Sequence, residues 1–447
     1  MKSSALADAL RDCLASGELA PLAEAYAPHA VLDASLPGAR RKHLGPAAIA
    51  EALGDCFRGP GRLVEWAPSL HPEGVAVWLE RVDESGGAVR QRHYARIVDG
   101  RVTRHWVYAA RPHAAPAASI PEAAETLFAE LGPIAERTRM ASSGWSGNRL
   151  DRLVLADGRA LIAKRIVPGT DWLGRATSDR GREALLHVEG AYGRMPDRVD
   201  PAVVATELEE GGAWWIIMRD VSDDLLDDSA PVTREQNRFI LESAAGVWQE
   251  FWDDAPACAG PLAGRLGFSG LAVAKHERAG LDILPKQFEA GWEAFAEAVD
   301  DDVAEPILDL LERPRRLADA LDARGTTLIH GDLRDENIGL PDGRLVLLDW
   351  GLATCGHPAA ELAWYMCHDV WRIEAGHDDV VEDFRHALGE RDDPLALELG
   401  LISGLVQYGW IFGHSAVVHP DPAEREWARR ELGWWVPRVR HALDQWR

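Results

Sequence analysis

Residues 328–353 read Leu-Ile-His-Gly-Asp-Leu-Arg-Asp-Glu-Asn-Ile-Gly-Leu-Pro-Asp-Gly-Arg-Leu-Val-Leu-Leu-Asp-Trp-Gly-Leu-Ala. A short apolar run, Leu328 and Ile329, delivers His330, Asp332 and Asn337 on a loop. A second apolar run, Leu345 to Leu348, ends on Asp349. Pro341-Asp342-Gly343 between them predicts a hairpin turn, because proline presets the first turn angle and glycine tolerates the left-handed one. Phosphoryl transfer needs this combination. One carboxylate orients an attacking hydroxyl and takes its proton, while an amide oxygen five residues on and a second carboxylate at a strand end hold Mg²⁺ against nucleotide phosphates.

His-x-Asp-Leu-x-x-x-Asn followed by Asp-x-Gly is the catalytic-loop pattern of protein kinases, with Gly331 where arginine is usual and Trp350 where phenylalanine is usual. His330-Gly331-Asp332 is the variant of the aminoglycoside phosphotransferases and related small-molecule kinases, and the stretch resembles that family. The resemblance covers residues 121–447. It implies ATP and Mg²⁺ as cofactors, a small-molecule hydroxyl as acceptor, Asp332 as the catalytic carboxylate, Asn337 and Asp349 as metal ligands, and His330 as a brace for the loop.

Upstream, strand signals enclose Ser142-Ser143-Gly144-Trp145-Ser146-Gly147, a small-residue loop whose backbone N–H groups suit phosphate oxygens. Ser143, Gly144 and Gly147 are the expected contacts. Lys164 lies in the apolar run Leu161–Ile166, where an unpaired ammonium is costly; the resemblance places it on the phosphates, with Glu183 or Glu189 as its carboxylate partner, and Glu183 matches the family position better. Trp214–Val221 reads as the last strand of the first lobe, with Asp220 and Val221 at the adenine hinge. Thr233 and Gln236 predict a capping box for the next helix. Trp248 stands near where relatives commonly carry histidine, a difference of packing. Glu361 takes the acidic position after Gly356-His357-Pro358. Asp369, Glu374, Asp378 and Asp379 fall where such kinases bind the acceptor and point either to an amine-bearing substrate or to a solvated face.

The front of the chain has a different pattern. Helical spacing covers residues 4–28, a strand spans 30–36, a short helix follows Leu44, and strands are predicted over 62–69, 74–81, 88–97 and 102–109. Helices followed by a curved antiparallel sheet make an α+β cone. The segments Tyr26–Asp33, Leu44–Ile49 and Tyr94–Trp106 make it similar to the SnoaL-like (nuclear transport factor 2-like) fold. Asp33, Trp66, His93 and His105 are candidate pocket residues, each also readable as an ordinary strand residue. The family often pairs through its open sheet face, which implies a homodimer.

The expected fold class is therefore α+β in two domains: a cone at 1–112, a Pro/Ala linker at 113–120, and a bilobal kinase-like part with its N-lobe at 121–221 and helical C-lobe at 222–447. Composition agrees with a globular enzyme, at 47% apolar and 27% charged residues. Net charge is −24, unevenly placed: residues 1–115 hold 14 basic and 13 acidic side chains, and the rest 34 and 59. Such a field argues against nucleic acid and anionic membranes as partners and favours cationic ligands. Five cysteines without a C-x-x-C motif argue against a disulfide framework or zinc site. The N-terminus lacks the apolar core of a signal peptide, so a cytoplasmic protein is expected. Three alternatives stay open: a kinase of a choline-, sugar- or amino-alcohol-like metabolite, a nucleotide-binding pseudokinase scaffold, and a separate activity in the front domain.

Overall fold

The computed structural model describes residues 1–18, 20–56, 61–83, 87–110, 122–140, 148–227, 229–280 and 282–446. The chain is mixed α/β and forms two compact units. One comprises residues 1–115, 269–308 and 409–440; the other comprises 116–268, 309–408 and 441–447. Helices that sequence reading assigns to the C-lobe, Pro285–Ala298 and most of Pro422–Trp446, thus share a unit with the front segment.

In the first unit, α1 (Ser3–Ser16) and α2 (Ala20–Ala23) precede β1 (Tyr26–Leu36), β2 (Ala39–Leu44), α3 (Pro46–Cys56), β3 (Gly61–His71), β4 (Gly74–Asp83), β5 (Ala88–Val98) and β6 (Arg101–Ala110). The six strands form one sheet in the order β2-β1-β6-β5-β4-β3, with β1 and β6 parallel. Strand β2 (Ala-Arg-Arg-Lys-His-Leu) escapes sequence reading because it has no apolar alternation; it is an edge strand held by its register with β1. Leu6, Leu10 and Leu14 of α1 pack with Leu32, Val75, Val77 and Leu79 on one sheet face.

The candidate pocket residues of this sheet are spent internally. His93 and His105 lie in a buried relay: Gln91 Oε1 meets His93 Nε2 at 2.8 Å, His93 Nδ1 meets His105 Nε2 at 3.0 Å, and His105 Nδ1 meets the Tyr26 hydroxyl at 2.6 Å. Burial drives the His93 imidazole far below its ordinary pKa and that of His105 to about 3, so both rings are neutral. Asp33 is paired with Arg40, and Trp66 packs against the apolar core. The opposite sheet face, on which the dimer expectation rests, is covered: Tyr94, Trp106 and Tyr108 are buried against Ala290, Ala294 and Val418. The Tyr108 hydroxyl also meets His414 Nε2 at 3.0 Å.

The second unit begins, among its described residues, with α4 (Glu122–Leu131). It continues through β7 (Ile134–Met140), β8 (Arg149–Leu155), β9 (Ala160–Ile166), α5 (Trp172–Thr177), α6 (Arg182–Val188), β10 (Val199–Asp200), β11 (Val203–Leu208) and β12 (Trp214–Arg219). Five of these strands form an antiparallel sheet in the order β11-β12-β9-β8-β7. Its central strands are apolar because they are covered: Leu153, Leu161, Ala163, Trp215 and Ile217 join Leu127 and Phe128 of α4 in one cluster.

Helix α7 (Arg234–Glu250) opens with the predicted capping box. The Thr233 hydroxyl accepts from the Gln236 N–H at 3.2 Å, and the Gln236 side chain accepts from the Thr233 N–H at 2.9 Å. Beyond it, the helical stretch over 301–322 is broken at Pro314 into Asp301–Glu312 and Arg315–Asp322, since proline cannot donate to the preceding turn. Helix Pro394–Val417 has the length and mean hydropathy (1.4) of a membrane span, but 72% of that window is buried in the fold, as a core helix is.

Thr233→Ala removes one half of the capping box. It is expected to lower stability by about 1 kcal/mol, read as a shift of the urea unfolding midpoint to lower denaturant.

Candidate active site

The strand Thr327–Ile329 pairs antiparallel with Thr354–Gly356 and leads into the His-Gly-Asp turn. Gly331 adopts φ +79°, and a Cβ there would lie 2.0 Å from the Leu352 carbonyl oxygen. Only glycine fits such an approach, which explains its presence where protein kinases carry arginine. The Gly331 N–H donates to Glu361 Oε1 at 2.7 Å, and its carbonyl accepts from Arg265 Nε at 2.7 Å. His330 Nε2 donates to the Leu348 carbonyl at 2.9 Å, while Nδ1 accepts from the Asp332 N–H at 3.3 Å. The ring meets Trp350 edge-on at 4.5 Å, and burial lowers its pKa, so it is a neutral strut with both nitrogens occupied.

Asp332 is held at both carboxylate oxygens. Oδ1 accepts from the Trp364 indole N–H at 3.0 Å, and Oδ2 from Asn337 Nδ2 at 3.1 Å, with Arg334 Nε at 3.3 Å. Asn337 Nδ2 donates also to the Asp332 carbonyl at 2.9 Å. Its amide hydrogens are thereby committed to Asp332, which leaves the amide oxygen as the atom of that side chain suited to a cation.

Asp349 follows the strand Leu345–Leu347, which pairs antiparallel with Ile338–Gly339 across the Pro341-Asp342-Gly343 turn. The Leu348 N–H donates to the Asn337 carbonyl at 2.9 Å, tying the segment of Asn337 to the one that ends on Asp349. Asp349 has φ +61°, a strained left-handed conformation for a non-glycine residue that this register imposes. Its Oδ1 accepts from Lys164 Nζ at 2.8 Å, and the same ammonium donates to Glu183 Oε2 at 2.7 Å. Lys164 is 6% exposed and Glu183 0%. Burial pulls the Lys164 ammonium down, but Asp349 and Glu183 outweigh it and hold its pKa well above the ordinary lysine value. Burial raises the Glu183 carboxyl, whereas Lys164 overcomes burial at Asp349 and holds that carboxyl below the usual range. At neutral pH the arrangement contains an ammonium and an ionised Asp349.

Among the described residues no three His, Cys, Asp or Glu side chains cluster as a metal site. Asn337 and Asp349 nevertheless each supply a hard oxygen on segments joined by the Leu348–Asn337 backbone bond, which suits Mg²⁺, an ion that takes one or two protein oxygens and completes its shell with water and phosphate. The residues present fit the ion.

Lys164, Asp332, Arg334, Asp349 and Trp364 line one cleft, joined by Asn148, Phe268 and the segment around α5. The Asp171 and Asp179 carboxylates on its wall are spent on backbone: Asp171 caps α5 through the Gly174 N–H at 2.7 Å, and Asp179 accepts from the Gly181 and Arg182 N–H groups. At the end of β12, the Asp220 N–H donates to the Ala160 carbonyl at 3.1 Å, its carboxylate pairs with Arg152 at 2.6 Å, and Val221 is buried. Ser143, Gly144 and Gly147 lie outside the described residues.

The sequence pattern of the phosphotransferase enzyme family (APH) matches residues 141–399, more than half of the chain. The chain belongs to this family. It is an enzyme, a kinase acting on hydroxyl groups. Solved structures similar to this phosphotransferase include choline kinase LicA from Streptococcus pneumoniae, at 14% identity over 72% of this chain and 96% of that chain (TM-score 0.39). An aminoglycoside phosphotransferase from Alicyclobacillus acidocaldarius is 14% identical over 74% and 98% (TM-score 0.38). Aminoglycoside phosphotransferase APH(3'')-Id from Streptomyces rimosus is 17% identical over 65% and 99% (TM-score 0.40). Among curated proteins no sequence match is found.

Several residues that shape this phosphotransferase site carry no local sequence signal. Arg182 is buried and donates through Nη1 to the Gly351 carbonyl at 2.7 Å, tying α6 to the Asp-Trp-Gly segment. Arg265, also buried, stacks its guanidinium 3.9 Å from the Trp364 ring centroid. Trp248 has a polar duty besides packing, since its indole N–H donates to Glu361 Oε2 at 2.9 Å. The acidic residues expected at the acceptor are partly committed elsewhere. Asp369 is buried and accepts from the Asp335 N–H at 2.9 Å, and Asp379 pairs with Arg234 at 3.0 Å.

Burial raises the Glu361 carboxyl from 4.5 to about 7, with the Gly331 and Trp248 donors opposing it in part. A carboxyl whose folded pKa lies above its unfolded value favours the folded state most below the unfolded value, and that stability is lost as pH rises through the folded one. The urea midpoint is therefore expected to fall between about pH 5 and pH 8, and the Glu361→Gln profile to be flatter over that window. Lys164→Met leaves Glu183 buried without its cation. A loss of roughly 3–5 kcal/mol is expected, largely recovered in the Lys164→Met/Glu183→Gln double variant and measured by the same midpoint.

Proposed function

We propose that the chain moves the γ-phosphoryl group of ATP to a hydroxyl of an amine-bearing small molecule, such as an aminoglycoside-like compound. The observation that carries this reading is the placement of Asp332, Asp349 and Lys164 in one cleft, with Asn337 bonded to Asp332 and Glu183 bonded to Lys164. Asp332, fixed at both oxygens, orients the acceptor hydroxyl and accepts its proton. Lys164 holds nucleotide phosphates and Glu183 fixes Lys164. Asn337 and Asp349 hold Mg²⁺, which when bound neutralises charge on the phosphate oxygens. Asp220 and Val221 take the adenine-hinge role in this reading. The net charge of −24 supports an amine-bearing acceptor, since such a field concentrates cations.

In the same reading, residues 1–112 are a SnoaL-like cone, supported by the helices-then-sheet order and the β4–β5–β6 meander. Residues 121–221 form the N-lobe, supported by the five-stranded sheet carrying Lys164, and 222–447 supply the helical C-lobe. The cytoplasm, where ATP is plentiful, is the proposed location.

The test is ATP consumption with Mg²⁺ over a panel of aminoglycosides, amino sugars and choline-like alcohols. Acceptor-dependent turnover is expected, and Asp332→Asn should lower kcat about 10²–10⁴-fold while nucleotide affinity stays near wild type. Unchanged turnover in Asp332→Asn would remove the assigned base. Tight nucleotide binding without turnover for any acceptor would favour a nucleotide-binding scaffold.

A further inference from the structure

Among the described residues, two cationic side chains line the cleft that holds Asp332 and Asp349: Lys164 and Arg334. Lys164 is committed to Glu183 and Asp349. Arg334 stands two residues after Asp332, at the entry to the short turn Asp335–Asn337. Its backbone is extended, with φ −159°, and its carbonyl accepts from the Asn337 N–H at 2.9 Å, which locks it to the loop.

The Arg334 side chain is 17% exposed, with Nε 3.3 Å from Asp332 Oδ2 and Nη1 paired with Glu336. Burial works against its charge, but Asp332, Glu336 and Asp349 outweigh burial and hold its pKa above the ordinary arginine value. Its charge also reaches Asp349, where burial raises the carboxyl and Arg334 joins Lys164, the larger influence, in holding it down. One guanidinium therefore interacts with the carboxylate assigned to the acceptor proton and with the carboxylate assigned to the metal.

The acceptor oxygen has to come within about 3 Å of Asp332. The phosphorus it attacks lies one bond further, toward Asp349 and Lys164, and that path runs past the Arg334 guanidinium. The transferring group spreads negative charge over its oxygens, and a planar guanidinium can donate to two of them at once, which a point-charge ammonium cannot.

We propose that Arg334 is a catalytic residue whose guanidinium hydrogen-bonds the phosphoryl oxygens as the group passes from nucleotide to acceptor. The inference rests on the phosphotransferase reading and adds the cation that faces the group in transit. The bond from the γ-phosphorus to the bridging oxygen of ADP breaks, a bond from the acceptor oxygen to phosphorus forms, and the acceptor proton passes to Asp332; Arg334 keeps its protons throughout. Asp332 and Glu336 hold the guanidinium in place beforehand, so little reorganisation is left for the transition state.

Steady-state kinetics of the full chain with Mg·ATP and an acceptor the wild type turns over tests this. Arg334→Gln is expected to lower kcat about 10²–10³-fold with KM for ATP near wild type, and Arg334→Lys to fall between the two. Guanidinium ion added at millimolar concentration should restore part of the turnover of Arg334→Ala. Calorimetry supplies a readout without an acceptor: ADP with magnesium and aluminium fluoride, a stand-in for the phosphoryl group in transit, should bind wild type more tightly than ADP alone. Arg334→Gln should lose most of that gain and keep its ADP affinity. Near-ultraviolet circular dichroism checks the fold, and Arg334→Lys carries the test should the glutamine variant fail to fold. Wild-type turnover with neither variant lowering kcat overturns the inference alone, as does an ADP–aluminium fluoride affinity unchanged in Arg334→Gln, or a loss of kcat matched by an equal loss of ATP affinity. Absence of wild-type turnover for every acceptor would overturn the phosphotransferase reading, and this inference with it.

Discussion

At Gly331 two backbone segments approach so closely that a methyl group would lie 2.0 Å from the Leu352 carbonyl. The rest of the active site depends on that contact. It presses the His-Gly-Asp turn against the segment following Asp349, so Asp332 and Asp349 share one cleft. Glu361 and Arg265 hold the turn from its N–H and carbonyl sides. Buried polar groups of this kind are tolerated only when paired, and each pairing fixes an orientation along with an energy.

A second constraint joins the five-stranded sheet to this loop. Lys164 is too buried to stand alone and is stabilised by two carboxylates of different origin, Glu183 from α6 and Asp349 from the catalytic segment. Arg182, the residue before Glu183, anchors Gly351 two residues after Asp349. Adjacent residues of α6 therefore hold Lys164 and the Asp349–Gly351 turn in one register, and a shift of that helix would disturb both.

Much of this was legible in order along the chain. His330, Asp332, Asn337 and Asp349 form a local motif whose spacing is set by one turn and one hairpin, so sequence distance maps directly onto space. The Thr233–Gln236 capping box and the strands of the first sheet other than β2 were legible for the same reason, as short-range hydrogen bonding and alternation decide them. Arg182, Arg265 and Trp364 were not, because each acts across a large sequence separation and an isolated arginine or tryptophan has no periodicity to betray its partner. Strand β2 was missed because an edge strand rich in arginine and lysine lacks the apolar alternation by which strands are recognised.

By itself the sequence determined the class of chemistry: a carboxylate, an amide and a second carboxylate at fixed spacing on short strands, with a lysine in an apolar strand. Only the tertiary structure decided which groups are spent and which remain available. It buried His93 and His105 in a neutral relay, committed Asp369 to a backbone N–H, and covered the sheet face around Tyr94 and Tyr108. The physical reason is that charge and hydrogen-bonding capacity belong to residue types, whereas their compensation depends on distances of a few ångströms between segments far apart in the chain.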